Sequence, residues 1–320
     1  LFMGTSGSAI FYQKVISTYP WHEGHNGFLV SLWLMHGSVI VFLIAVASFF
    51  IPKRMVIGTL LFITAVAAHY GATIGAAVDV EMIRNVLSTD VEESMGLINL
   101  HLLSYLLFFA VLPASLMYYW LRIKKPLLIH AQQQFILLSG SFVLILICLF
   151  SYGSYYSTFF REHKAVRYYA NPTYPIFAIG KFFQQTLSTI NKSTMEIRLA
   201  DAHVSIDDHD RELVILVIGE TARRDRFSLN GYSKQTNPLL EQVSGLVSYS
   251  HIQSCGTSTA YSVPCMFSLE NADTFEIDLA NYSENILDVL KRAGISILWR
   301  DNNSNSKGVA DRVQYEDFRY

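Results

Sequence analysis

Four long apolar stretches constrain the fold of this chain more than any other feature. They cover residues 28–51, 55–78, 97–121 and about 135–152, and none of them contains Asp, Glu, Lys or Arg. Each is close to the roughly 20 residues that a helix needs to cross a bilayer. The sequence therefore predicts four complete transmembrane helices. The first residues, LFMGTSGSAIF, are interpreted as the tail of a fifth apolar helix.

The loops between these stretches predict the orientation in the membrane. Lys53, Arg54, Arg122, Lys124 and Lys125 fall in the two loops expected on one side, which places those loops in the cytoplasm. The acidic loop 79–96 and everything after residue 152 then lie outside the cytoplasm. The net charge of −2 gives no basic patch of the kind that binds nucleic acid, so nucleic-acid partners are excluded.

Composition then changes along the chain and indicates three parts. Residues 1–152 are the membrane helices, and residues 153–212 form an interfacial segment followed by a linker. In the interfacial part, 153–183, Tyr and Phe are mixed with Arg and Lys, as is typical of the headgroup region, whereas 184–212 is polar. Residues 213–320 form the third part, which is exported.

The exported part has the pattern of an α/β domain with a largely parallel sheet. The apolar run 213–218 and the segment 246–252 predict strands, residues 285–294 predict an amphipathic helix that ends at a glycine, and 295–299 predicts another strand. Ligands of such sheets collect beyond the carboxyl ends of the strands, where Glu220 is expected. Its carboxylate could bind a divalent metal, partner a helix N-terminus, or be a surface charge.

Two cysteines flank a segment rich in hydroxyls, CGTSTAYSVPC. Cys255 and Cys265 are both exported, so a disulfide is expected to close a small loop and to stabilise the fold by about 3 kcal/mol. A hydroxyl at the start of a helix and close to a metal would be activated as a nucleophile for phosphoryl transfer. The alternative is a capping turn without chemistry. Cys148 lies in an apolar stretch and is interpreted as a buried apolar residue.

Three segments, VIGETARRDRFSLNGY, SCGTSTAYSVPCMFS and ILWRDNNSNSKG, together with the preceding spans resemble the lipid A phosphoethanolamine transferases, including those of mobile colistin resistance. The resemblance runs through essentially the whole chain. It implies a membrane α-helical bundle of four complete spans plus the tail of a fifth. A zinc-dependent, alkaline-phosphatase-like α/β domain would follow, present here only as its N-terminal part.

The resemblance also implies roles for individual residues. Thr259 matches the threonine nucleophile, which is also a zinc ligand, and Glu220 matches the zinc-binding glutamate. Positions that hold the phosphoethanolamine group correspond to Thr257, Ser258, Asn303 and Lys307. Positions associated with the lipid substrate correspond to Asn85, Thr89 and Glu93, whose spacing of four would place them on one helical face. Thr89 to Glu92 is also a capping box, which is a competing explanation for Thr89.

The zinc site departs from the family pattern. The remaining family ligands, an Asp-His pair and further histidines, are expected downstream of Tyr320, and the exported His203, His209 and His251 do not match them. Zinc usually takes three or four protein ligands, so residues 1–320 alone are expected to hold the metal poorly and to be inactive.

The function implied is a two-step transfer of phosphoethanolamine from phosphatidylethanolamine to a phosphate of lipid A, through a phosphoethanolamine-threonine intermediate. The expected setting is the bacterial inner membrane, with several spans, a periplasmic catalytic domain and a monomeric state. Polymyxin resistance would follow because the transfer reduces the negative charge of the membrane surface.

The sequence is also compatible with other functions. The acceptor could be a core sugar, another glycan or a protein. A sulfatase-like hydrolase or a phosphoglycerol transferase of the lipoteichoic acid type would share the fold. The segment after Pro264, however, lacks the arginine of a sulfatase motif, and CGTSTAYSVPC does not resemble the phosphoglycerol transferase segment. A transporter or channel would require ionisable residues in the spans, where only histidines occur.

Overall fold

The computed structural model describes residues 2–88, 95–96, 98–120, 127–190, 195–205, 211–219, 222–249, 251–302 and 305–318. The chain divides into two compact units, Leu1–Leu187 and Ser188–Tyr320. Each unit has its own apolar core.

The first unit is helical. Phe2–Gly4, Ser6–Ser8 and Trp21–Glu23 are 3-10 turns, and Leu107–Val111 is a π-helical turn between α5 and α6. The helices, including one that runs past the unit boundary, are α1 (Ala9–Thr18), α2 (Asn26–Ala47), α3 (Lys53–Ile74), α4 (Val80–Ser88), α5 (Leu100–Leu106), α6 (Leu112–Trp120), α7 (Leu127–Ser151), α8 (Gly153–Glu162), α9 (Lys164–Arg167) and α10 (Thr173–Ile190).

Among the described residues, four helical segments are long and apolar enough to cross a membrane, which confirms the predicted spans. They are Asn26–Ala47, Lys53–Ile74, Leu100–Tyr119 and Ala131–Ser151. Large apolar side chains on them are exposed, as expected of helices that face lipid: Leu116 is 64% exposed and Phe150 85%.

Two hydroxyl groups within the spans donate to carbonyls of their own helix. Thr64 donates from Oγ1 to the Leu60 carbonyl at 2.7 Å, and Ser38 donates from Oγ to the Leu34 carbonyl at 2.7 Å. These bonds leave fewer polar groups unsatisfied in hydrocarbon. Helix α3 ends at Gly75, whose φ of 71° is a left-handed conformation that glycine adopts without strain.

The main core of the first unit lies where α2 packs along α7 and α8. Phe28, Leu32 and Met35 of α2 are buried together with Cys148 of α7 and Phe159 of α8. Cys148 is a free, buried thiol, as interpreted from the sequence.

The second unit has short elements around a small core. They are α11 (Thr259–Phe267), α12 (Ile277–Ala280), α13 (Ile286–Arg292), β1 (Leu298–Asp301), β2 (Gln314–Asp317) and three 3-10 turns, Arg224–Arg226, Ser228–Asn230 and Leu240–Gln242. β1 and β2 are parallel, with Leu298 opposite Gln314 and Asp301 opposite Asp317. Val263, Phe267, Leu287 and Val309 form the buried cluster.

The predicted helix over 285–294 is confirmed. Asn285 caps α13 by accepting from the Leu287 and Asp288 amides, while the Asp288 carboxylate accepts from the Asn285 amide at 2.9 Å. Gly294, with φ of 98°, follows the last turn.

Two of the predicted strands are wrong, and other boundaries move. Residues 213–218 form no strand, nor do 246–249 and 251–252; Leu213 is 85% exposed and Val217 83%. A strand requires a hydrogen-bonded neighbour, and in the described part of this unit the one ladder joins β1 to β2. The strand expected at 295–299 is Leu298–Asp301. Helix α10 continues to Ile190, inside the predicted linker.

Candidate active site

Thr259 is the first residue of α11. Ser258 before it is extended, with φ of −104° and ψ of 141°, and its carbonyl accepts from the amides of Tyr261 at 3.1 Å and Ser262 at 2.9 Å. The Thr259 side chain is partly exposed. Its hydroxyl therefore lies at the positive end of the helix dipole, which favours a negative charge there.

A disulfide joins Cys255 to Cys265, with the two Cα atoms 6.4 Å apart, as predicted from the sequence. Cys265 belongs to α11 and is 5% exposed, whereas Cys255 precedes the helix. The bond ties the segment before Thr259 to the body of the helix. This restricts the backbone on both sides of the candidate nucleophile.

Gly256 allows the turn to close tightly against Tyr261. A Cβ at Gly256 would lie 2.9 Å from Cδ1 of Tyr261, a separation that requires the ring to move. The Tyr261 hydroxyl donates to the Phe275 carbonyl at 3.2 Å, and the two rings meet edge to face at 5.2 Å. The Tyr261 ring therefore packs both against Gly256, in the turn before Thr259, and against Phe275.

The face of α11 that carries Val263 and Phe267 packs in the core of the second unit. Val263 and Phe267 are buried, and the Phe267 ring meets Trp299 of β1 with centroids 5.5 Å apart. Because the helix is fixed at this face, its N-terminus and Thr259 hold a defined position relative to β1.

Lys307 lies in the connection between β1 and β2, in a turn that packs near α11. Its φ of 52° is left-handed, and its amide donates to Oδ1 of Asn305 at 2.8 Å. Lys307 and Pro264 of α11 line the same small cavity of about 30 Å³. The structure thus brings the predicted substrate-binding lysine next to α11.

Two contacts with α13 hold this connection. The Asn285 side-chain amide donates to the Val309 carbonyl at 2.8 Å, and Arg312 donates to both carboxylate oxygens of Asp288. Burial would raise the pKa of Asp288, but the hydrogen bonds from Arg312 and Asn285 outweigh it and lower the pKa below its ordinary value of 3.8.

The other predicted site residues are only partly described. Thr257 is exposed and Ser258 partly buried, both directly before α11. Asn85 lies on α4, in the first unit. Thr89, Glu93, Glu220 and Asn303 lie outside the described residues, as does the predicted capping box that begins at Thr89. The roles of all these residues stay predictions.

Asp301 is a candidate site residue that the sequence patterns did not indicate. It ends β1, is only 7% exposed, and directly precedes Asn302 and the predicted substrate-binding Asn303. The rule that ligands collect at the carboxyl ends of parallel strands, applied to the strand at 295–299, could have found it.

The described residues include one of the two zinc ligands that the sequence predicts. They contain no cluster of three or more His, Cys, Asp or Glu side chains that could hold a metal ion. Of the two expected ligands, Thr259 is described and Glu220 is not. Hydroxyl and carboxylate oxygens suit zinc in kind, but two fall short of the usual three or four protein ligands.

Comparisons with known proteins match both units. The profile of the family described as phosphoethanolamine transferase EptA/EptB matches residues 34–187, and the sulfatase profile matches residues 212–320. Phosphatidylethanolamine transferase Mcr-1 of Escherichia coli is 36% identical over 326 residues, which cover 100% of this chain and 60% of that protein. Phosphoethanolamine transferase EptA of Escherichia coli (strain K12) is 32% identical over 318 residues, covering 96% of this chain and 56% of that protein.

A solved structure also matches nearly the whole chain. The integral membrane lipooligosaccharide phosphoethanolamine transferase A (EptA) from Neisseria meningitidis superposes with a TM-score of 0.88 at 28% identity. The match covers 98% of this chain and 60% of that structure. The chain thus spans about 60% of the length of these relatives.

Proposed function

Because the chain belongs to the phosphoethanolamine transferase family, we propose that it transfers phosphoethanolamine from phosphatidylethanolamine to a phosphate of lipid A. The observation that carries the proposal is the position of Thr259, at the first residue of a helix whose N-terminal side is closed by the Cys255–Cys265 disulfide. This position supports the proposal because the helix dipole favours binding of an anionic phosphodiester whose phosphorus the hydroxyl would attack.

In the first step, Oγ of Thr259 attacks the phosphorus of phosphatidylethanolamine. A bond forms between Oγ and phosphorus, the bond from phosphorus to the glycerol oxygen breaks, and diacylglycerol leaves with the proton. The positive end of the α11 dipole stabilises the charge that develops on the phosphoryl oxygens. Thr257, Ser258, Asn303 and Lys307 would hold the phosphoethanolamine group, with the Lys307 ammonium facing a phosphoryl oxygen.

In the second step, an oxygen of a lipid A phosphate attacks the same phosphorus. The bond to Oγ breaks, Thr259 takes up the proton that the attacking phosphate loses, and the lipid A product carries phosphoethanolamine. Asn85, Thr89 and Glu93 would bind the lipid substrate. The membrane-spanning unit would keep both lipids at the surface where they reside.

Zinc is the proposed cofactor, with Glu220 and Thr259 among its ligands. When bound, it would lower the pKa of the Thr259 hydroxyl. The two ligands within residues 1–320 are too few for tight binding, so we propose that this chain alone transfers little or no phosphoethanolamine.

The proposed setting is the bacterial inner membrane, with the second unit in the periplasm and the enzyme acting as a monomer. The four spans and the basic residues of the two loops expected in the cytoplasm support this orientation. Addition of an ethanolamine group offsets negative charge on lipid A, so reduced attraction for polymyxins would follow.

The experiment is mass spectrometry of lipid A from cells without their own phosphoethanolamine transferases, which express the protein at the length of its relatives. We expect lipid A to gain the mass of phosphoethanolamine, and Thr259→Ala to abolish the gain. Thr274→Ala is the matched control, because this threonine is exposed and its hydroxyl donates to Glu270 and Asn271, which are not part of α11. Unmodified lipid A with phosphoethanolamine on another envelope molecule would refute lipid A as the acceptor. No modified molecule at all would refute the transfer.

A further inference from the structure

A second cavity, in the first unit, has a polar lining that the proposed transfer does not use. It has a volume of about 310 Å³ and lies between the C-terminal half of α1 and the α9 region. Its lining residues are Lys14, Ser17, Thr18, Ala165, Val166, Tyr168 and Tyr169.

The contacts of Tyr169 place this cavity at the end of a membrane span. The Tyr169 hydroxyl donates to the carbonyl of Gly75 at 2.7 Å, and Gly75 is the residue that ends α3. The Lys14 ammonium lies over the Tyr169 ring, 4.9 Å from its centroid. The cavity is therefore level with the end of the span opposite to Lys53, which is the depth of lipid headgroups.

The positive charge of the lining residues favours an anionic ligand in this cavity. Lys14 is the one charged residue among the lining residues, and none of them carries a carboxylate. Lys164, which directly precedes Ala165, is exposed and adds to the local positive charge. A cation at this depth attracts anionic lipid headgroups.

The hydroxyls of Ser17 and Thr18 favour one kind of group next to the anionic phosphate. Ser17 donates from Oγ to the Lys14 carbonyl at 2.8 Å, and Thr18 donates from Oγ1 to the same carbonyl at 3.0 Å. Since their protons are used, both oxygens offer lone pairs to a ligand. The hydroxyls of a glycerol headgroup can donate to them, whereas an ethanolamine headgroup would bring its ammonium close to that of Lys14.

We propose that this cavity binds the headgroup of an anionic phospholipid of the phosphatidylglycerol type. The phosphodiester pairs with the Lys14 ammonium, and the headgroup hydroxyls donate to Ser17 and Thr18. The lipid is bound and not consumed, so the site is separate from the phosphatidylethanolamine donor of the proposed reaction and does not depend on it.

The test is native mass spectrometry of the 320-residue chain in detergent, titrated with phosphatidylglycerol or phosphatidylethanolamine of identical acyl chains. We expect tighter binding of phosphatidylglycerol, and an affinity about fivefold lower in Lys14→Gln, because one cation at the surface contributes about that factor. Lys14→Arg should retain the affinity. Lys181→Gln is the matched control, since Lys181 is an exposed cation on α10 that does not line the cavity.

Ala165→Phe tests the cavity without changing any charge, and it also serves if Lys14→Gln does not fold. Ala165 is exposed on the short α9, so a phenyl ring there should fill the cavity and lower the affinity for phosphatidylglycerol. Equal losses in Lys14→Gln and Lys181→Gln would overturn the proposal, because they would indicate general surface charge. Equal affinity for the two lipids, or an unchanged affinity in Ala165→Phe, would also overturn it.

Discussion

Arg312 donates two hydrogen bonds to Asp288, from Nε to Oδ1 at 2.8 Å and from Nη2 to Oδ2 at 2.6 Å. The Asn285 amide donates to the same Oδ2 atom at 2.9 Å. The pair therefore fastens the end of the β1–β2 connection, which carries Lys307, to the N-terminus of α13. The side chain of Asp288 is 8% exposed and that of Arg312 31%.

Removal of Arg312 should loosen this attachment. Arg312→Ala leaves the buried Asp288 carboxylate without its main partner, which should cost about 2 kcal/mol of local stability. Hydrogen-exchange mass spectrometry on peptides that cover Ile286–Arg292 measures the loss. Arg300→Ala is the control, because its pair with Glu316 is more exposed and should contribute about 0.5 kcal/mol. Equal effects of the two substitutions would show that the Asp288 pair has no special role.

The same pair predicts a dependence of stability on pH. The pKa of Asp288 is lower in the folded protein than its ordinary value of 3.8. Its contribution to stability is therefore complete above the unfolded pKa and is lost as the pH falls through the folded pKa. The difference in exchange protection between wild type and Arg312→Ala, corrected for intrinsic rates, should shrink from pH 7 to about pH 3. A difference that grows with acid would contradict the direction assigned to this pKa.

Alkylation distinguishes the three cysteines. In protein unfolded without reductant, iodoacetamide should label Cys148 alone, since Cys255 and Cys265 are bonded and Cys148 is free. Cys255→Ser with Cys265→Ser should lower the stability of the 255–265 segment by about 3 kcal/mol, because the loop is no longer closed. Peptide mass spectrometry reads the labels, and hydrogen exchange of α11 reads the stability. Label on all three cysteines of wild-type protein would refute the disulfide.

Gly256→Ala should destabilise the turn before Thr259, because the new methyl group would displace the Tyr261 ring. The new Cβ would lie 2.9 Å from Cδ1 of Tyr261, and displacement of the ring should cost about 2 kcal/mol. Thermal unfolding and exchange of α11 measure the effect. Combining Gly256→Ala with Tyr261→Ala removes the clash, so the double variant should be more stable than the sum of the single effects predicts. Strict additivity would show that the ring is not the cause.

Hydropathy was sufficient to predict the membrane-spanning helices because each span is determined by its own stretch of residues. Each span needs about 20 apolar residues and satisfies its own backbone, so the stretches 28–51 and 55–78 predicted α2 and α3 with small shifts at their ends. A strand depends instead on its neighbours. The run 213–218 has the composition of a buried strand but no ladder partner in the described structure, so its composition misled.

The part of the candidate site that lies in the short segment 255–265 could be predicted from the sequence. The spacing of Cys255 and Cys265 and their predicted export indicated the disulfide, and the three motifs predicted the family, which the comparisons confirm. The left-handed turn at Lys307, and the attachment of the β1–β2 connection through Asp288 and Arg312, depend on contacts between distant segments. No local pattern encodes these contacts.

The covalent intermediate tests the central claim most directly. The protein at the length of its relatives is incubated with phosphatidylethanolamine, without acceptor, and the 255–265 segment is analysed by peptide mass spectrometry. We predict phosphoethanolamine on Thr259 of wild type and none on Thr259→Ala. Thr257→Ala should retain the modification at a reduced level, because Thr257 is proposed to contact the substrate and not to form the bond. Phosphoethanolamine on Thr257, or an unmodified segment in a protein that modifies lipid A, would contradict the assignment of Thr259 as the nucleophile.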